Sequence, residues 1–125
     1  KSSATAKLSS VNVKHVLEGA SQPTVFQIID APALLTLPDW DRVVGAVVMG
    51  NTWQFKGWKW NAPVDIFANI AGFYLQYDDV ATEPTVQQWN VRRINVSRSK
   101  RHLDATAVLE FWHHLGEFMK QRQRQ

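Results

Sequence analysis

Residues 42–49 (RVVGAVVM) form an almost unbroken apolar run that stops at Gly50. A strand with one face in water alternates apolar and polar residues. A strand covered on both faces does not. The run therefore predicts a central strand with other elements layered above and below it. The rest of the chain can supply those layers. Residues 24–30 (TVFQIID) read as a strand, apolar on both faces. Phe73, Leu75 and Tyr77 alternate with Tyr74, Gln76 and Asp78, which predicts another strand. Residues 90–97 (NVRRINVS) alternate again: Ile94 and Val96 share one face, and Arg93, Asn95 and Ser97 point the other way.

Helical spacing appears three times. Val13, Val16 and Leu17, stopped by Gly19, predict a short helix over 11–18. Asn61 as N-cap, Pro63 in the first turn, the stripe Val64, Phe67, Ile70 and Ala71, and Gly72 at C′ predict a helix over 62–71. Val108, Phe111, Trp112, Leu115, Phe118 and Met119 form a long stripe with Asp104 as N-cap, which predicts a helix over 104–121. Residues 31–39 read as a loop, 51–60 (NTWQFKGWKW) as an aromatic loop, and 78–88 as an acidic connection. Strands alternating with helices imply α/β layering with at least one right-handed βαβ unit.

The chain's 125 residues make one domain, divided as a flexible tail over 1–10, a single α/β domain over 11–122 and a basic end over 123–125. Six Trp and six Phe exclude a disordered chain. The absence of cysteine excludes a disulfide scaffold, a thiol nucleophile and a thiolate metal site. No apolar run reaches the ~18–20 residues of a membrane span, so no membrane partner is expected. The chain opens on Lys1 rather than Met, which reads as a piece of a longer protein.

Charge is unevenly placed. The net charge is +3, yet Arg92, Arg93, Arg98, Lys100 and Arg101 fall within ten positions that hold no acid. Such a run is either a solvated face or a contact surface for phosphate, phosphorylated peptide or nucleic acid.

Catalytic patterns fail one by one. A P-loop requires G-x-x-x-x-G-K-[ST], so that backbone N–H groups wrap a phosphate. After Gly50 the next glycine is Gly57, Lys56 precedes it, and Trp53 and Phe55 would fill the nest. His113 and His114 are adjacent on a helix, about 100° apart, and cannot share a metal as H-E-x-x-H does. They read instead as surface pairs with Glu117 and Glu110. No G-x-S-x-G elbow occurs. Neither catalysis nor a cofactor nor a metal is expected. Trp40, Trp53, Trp58 and Trp60 are too many to bury easily in a small domain: each is either part of a minor aromatic core capping one end of the sheet or, beside Lys56, Lys59 or Arg42, a candidate partner contact.

Trp40-Asp41-Arg42-Val43-Val44 and, after Gly50, Trp53-Gln54-Phe55 carry a resemblance. It continues through Pro63–Phe67 (PVDIF), Val86–Val91 (VQQWNV), Lys100-Arg101 with Asp104, and Phe111-Trp112 with Leu115. In these blocks the chain resembles the C-terminal domain of the parafibromin family, subunits of the RNA polymerase II-associated Paf complex. The resemblance implies a Ras-like (GTPase-like) α/β fold with a mostly parallel or mixed sheet, lacking nucleotide-binding motifs. It implies a nuclear, non-enzymatic elongation subunit that helps hold the complex on transcribed chromatin. Its implied partners are other Paf complex subunits and phosphorylated C-terminal repeats of the polymerase and of an elongation factor. Arg42 and Trp53 carry over as partner-binding residues through the WDRVV and WQF blocks, and Lys100 and Arg101 through the basic pair. Arg92, Arg93, Arg98 and Lys56 are candidates on charge alone. A residual GTPase-like nucleotide binder and a general nucleic-acid-binding domain stay open as alternatives.

Overall fold

The computed structural model describes residues 10–48, 50, 52–100 and 104–123, the side chains at 52, 53 and 123 excepted. The elements run β1 (Ser10–His15), β2 (Thr24–Ile29), α1 (Leu37–Trp40), β3 (Gly45–Val48), α2 (Pro63–Asn69), β4 (Ala71–Tyr77), α3 (Pro84–Gln87), β5 (Arg92–Val96) and α4 (Asp104–Gln123). β3, β4 and β5 form a parallel sheet in that order, with Gly45 opposite Ala71 and Phe73 opposite Arg92. β1 and β2 form a separate antiparallel hairpin. This is the layered α/β architecture that the alternation of strands and helices predicts, with the parallel sheet that the resemblance implies.

The two-residue strand period sorts the sheet's side chains into two cores. Ala46, Val48 and Tyr74 face Trp40, Phe55, Trp58, Ile66, Phe67 and Ile70. The aromatic loop is therefore mostly packing. Trp40 and Trp58 are 3% and 7% exposed, their rings 5.5 Å apart, and Phe55 lies 5.0 Å from Trp58 and 5.3 Å from Trp89. On the other face, Ala71, Phe73 and Ile94 meet Phe111, Trp112 and Leu115 of α4. Phe73 and Phe111 lie 4.6 Å apart. Arg122 Nη1 donates to the Val43 carbonyl at 3.0 Å, anchoring the far end of α4 near the start of β3. α4 thus runs antiparallel to the strands.

Several local expectations need correction. The segment expected to be helical over 11–18 is strand β1, followed by a turn. Its i, i+3, i+4 spacing competes with the alternation Val11, Val13, His15. The alternation wins because β2 offers a partner in register, Val13 opposite Phe26. β2 is not covered on both faces, since Val25 and Ile28 are exposed. β3 is shorter than expected and lies at an edge of the described sheet rather than at its centre, which β4 occupies, and its Val47 is exposed. The cap of α2 is Ala62 rather than Asn61, without a side-chain bond; Pro63 at N1 starts the helix. Gly72 is not a helix C′ residue but the second residue of β4. A Cβ there would lie 2.5 Å from the Phe67 ring, so the sheet and α2 can approach only at glycine. The loop over 31–39 contains α1, held by a capping box between Thr36 and Asp39. The acidic connection contains α3. Val108 is exposed and its neighbour Ala107 packs instead, so the packed stripe of α4 runs from Ala107 through Phe111, Trp112 and Leu115.

Candidate partner-binding site

β5 builds the basic surface, and its alternation divides it. Arg92 points to the α4 side, where its Nη2 lies 3.3 Å from Glu110 Oε2. Arg93 points to the other side and donates from Nη1 to Thr82 Oγ1 at 3.3 Å. Thr82 donates to Gln76 Oε1 at 2.8 Å, and Gln76 donates to Asn95 Oδ1 at 2.9 Å. Just past the strand, Arg98 donates from Nε to Asp79 Oδ1 at 3.1 Å, and its guanidinium stacks 3.8 Å above the Tyr77 ring. Ser97, expected on the outer side, is buried and accepts the Lys100 backbone N–H at 2.9 Å. That bond closes the turn and leaves the Lys100 side chain in solvent. A cleft of about 460 Å³ runs between the β5 edge and the first turns of α4, lined by Arg92, Arg93, Asn95, Thr106, Ala107 and Glu110.

The electrostatics are more balanced than the linear sequence suggests. Glu110 and Asp79 come from other elements to meet Arg92 and Arg98. Both pairs are exposed, so each contributes only about 0–1 kcal/mol and leaves the arginine able to exchange partners. Arg93 and Lys100 have no carboxylate partner among the described residues. Sequence reasoning missed Tyr77, Thr82, Asp79 and Glu110 as shapers of this surface. The acidic connection after β4 was the available signal.

The remaining candidates lie elsewhere. Arg42 is exposed, three residues ahead of β3, beside Asp39. The Asp39 carboxyl is held below its usual range by hydrogen bonds from the Thr36 backbone and side chain, with a smaller contribution from Arg42. Trp53 belongs to a 3₁₀ turn, Thr52–Phe55, that follows β3, so Arg42 and Trp53 flank opposite ends of one strand. The Trp53 side chain and all of Arg101 lie outside the described residues. Lys56 is exposed just after that turn. The structure therefore groups Arg92, Arg93, Arg98 and Lys100 around β5, and puts Arg42 and Lys56 in the connections flanking β3 at the other edge of the sheet. Lys59 bonds Asp41 at 3.3 Å and lies over Trp60.

The two histidines behave differently from the expected surface pairs. His113 turns to Glu18 at 3.3 Å, across to the hairpin, rather than to Glu117. His114 lines a second cleft of about 280 Å³ with Arg92, Asn90, Phe67 and Phe118. Burial, then the Arg92 and His113 charges, hold its imidazole below the usual 6.5. Among the described residues no three potential metal ligands converge.

Comparison with known proteins bears out the resemblance carried by the WDRVV and WQF blocks. A family model described as RNA polymerase II accessory factor, Cdc73 family, C-terminal, matches residues 1–118. The Arabidopsis thaliana CDC73 homolog is 46% identical over 101 residues, which cover 79% of this chain and 24% of that protein. Cell division control protein 73 of Saccharomyces cerevisiae is 38% identical over 106 residues, covering 84% of this chain and 27% of that protein. The solved conserved domain of yeast Cdc73 superposes with a TM-score of 0.84 at 33% identity, covering 90% of this chain and 73% of that one. The chain thus spans about a quarter of the length of these full relatives, and it belongs to the C-terminal domain family of the Cdc73 RNA polymerase II accessory factors.

Proposed function

We propose that this domain is a non-enzymatic recruitment module of a nuclear Paf-type elongation complex. It binds phosphorylated C-terminal repeats of RNA polymerase II and of an associated elongation factor, and so helps hold the complex on transcribed chromatin. One observation carries this reading: β5 and its exit turn gather Arg92, Arg93, Arg98 and Lys100, with Arg93 bonded only to a neutral hydroxyl. A phosphate brings about −1.5 to −2 charges and three acceptor oxygens, which suit a guanidinium without a carboxylate partner. Family membership supports the transcriptional setting.

The test is a fluorescence-anisotropy titration of phosphorylated and plain polymerase-tail peptides. The phosphorylated peptide is expected to bind more tightly, and Arg93→Glu to abolish the difference. Equal binding of both peptides would overturn the reading. Tighter binding to random duplex DNA would favour a nucleic-acid-binding domain, and stoichiometric micromolar GTP with magnesium would favour a nucleotide binder.

A further inference from the structure

β5 ends the parallel sheet. Val96 accepts the Asp78 N–H on its carbonyl at 2.9 Å, so the Val96 peptide groups face β4. The two-residue period turns Ile94 and Arg92 the same way. The N–H and C=O groups of Arg93 and Asn95 therefore point out of the sheet, and no described strand pairs with them. Unpaired edges are templates for another strand. Beside this edge lies the cleft of about 460 Å³, open along β5 and floored on the helix side by the small residues Thr106 and Ala107. A sheet edge next to a helix is the geometry in which extended peptides add as an extra strand.

From this edge we infer that β5 accepts, by strand addition, an extended acidic segment of another protein. The side chains decide the occupant. On one face the incoming strand meets Arg93, which lacks a carboxylate partner, and Asn95. On the other it meets Val96, Ala107 and Thr106, and here the cleft carries the carboxylates of Asp78 and the Arg92-bound Glu110, so the acids of the segment belong on the Arg93 face alone. Acidic residues at alternate positions, with small apolar residues between them, match both faces. A second copy of this chain fits poorly, because pairing two β5 edges brings Arg92 and Arg93 of both copies into one ladder, where like charges repel. Proline is excluded wherever the segment must donate to the Arg93 or Asn95 carbonyl. The inference uses the β5 surface but does not depend on phosphate as the bound group.

The probe is a capped nonapeptide of alternating glutamate and valine, titrated against the 125-residue chain in three forms: unmodified, N-methylated on one set of alternate amides, and N-methylated on the other set. Strand addition predicts that one set weakens binding by about tenfold or more while the other leaves it nearly unchanged. On the protein side, Asn95→Pro removes one outward N–H at an edge position that tolerates proline. It should cost a similar factor with circular dichroism and melting temperature nearly preserved. The N-methyl series decides the matter even if that variant folds poorly. No binding of the unmodified peptide, equal loss with both methylated sets, or a dimer in sedimentation that occupies the edge instead would each overturn the inference. Loss of phosphopeptide preference with the strand signature intact would sink only the proposed function.

Discussion

Trp53 is the residue on which the partner-binding reading can be decided most cleanly. Its backbone lies just past the C-terminal end of β3, where open α/β sheets hold their ligands. If its ring is a contact anchor, Trp53→Ala should weaken phosphopeptide binding by more than about 1–2 kcal/mol. Stability should then change by about 0.5 kcal/mol or less. If the ring is packing, the same change should cost about 3–5 kcal/mol in a denaturant melt. Gly72 gives a sharper stability expectation. A Cβ there would meet the Phe67 ring at 2.5 Å and Val91 Cγ1 at 2.7 Å. Both neighbours belong to the packed core, so Gly72→Ala should destabilise by about 1–3 kcal/mol in urea. His114 supplies a pH expectation. Its folded pKa lies below 6.5, so on acidification the unfolded chain takes up the proton first. The stability this provides is complete above about 6.5 and is lost as pH falls through the folded value. His114→Gln should flatten the melting temperature in that window. An unchanged slope would show that other groups carry it.

Among the elements, the hairpin is the least anchored. No described ladder joins β1 and β2 to the parallel sheet. A two-stranded hairpin alone is marginal in water. This one depends on α4: His15 stacks on Trp112 at 4.0 Å, Phe26 lies 5.1 Å from the same ring, and Leu17 approaches Gly116. Trp112→Ala should therefore release the hairpin first. Amide exchange over 10–29 should accelerate while protection in β4 and β5 persists. Uniform loss of protection would mean that the molecule opens as one unit. The aromatic layer behaves in the opposite way. Phe55 is 1% exposed and touches Trp58, Phe67 and Trp89, so it belongs to the centre of a core although its segment has no regular period.

For the whole molecule, the uneven charge has a consequence only because the fold arranges it. In the proposed reading the basic run at the β5 edge meets phosphate, while Glu110 and Asp79 moderate its charge. Phosphopeptide affinity should fall steadily with added salt, as for exposed charges screened over about 8–10 Å at physiological ionic strength. Arg42→Ala, at the other sheet edge, should change that slope less than Arg93→Ala does. Equal effects would place the partner across both edges of the sheet.

Periodicity determined a large part of this protein from sequence alone. The apolar run ahead of Gly50 required a strand, though its place at the sheet edge was not legible there; the alternation in 73–78 and 90–97 required two more, and the stripe from Val108 to Met119 required a long helix against them. These patterns are legible because burial on one side of a regular element repeats at a fixed spacing. The WDRVV and WQF blocks carried the family by resemblance, not by period. Tertiary structure alone decided what depends on a distant partner. Residues 11–17 fit both periods, and β2 settled the choice by offering a ladder. Trp40 at the end of α1 and Trp58 of the aromatic loop became core because residues of β3 and α2 pack against them. Arg92 in β5 and Arg98 just past it acquired acids lying 18 and 19 residues away, while Arg93 acquired only a threonine. Ion pairs and shared cores join groups that are close in space and far apart in the chain, and no local spacing encodes which of them will meet.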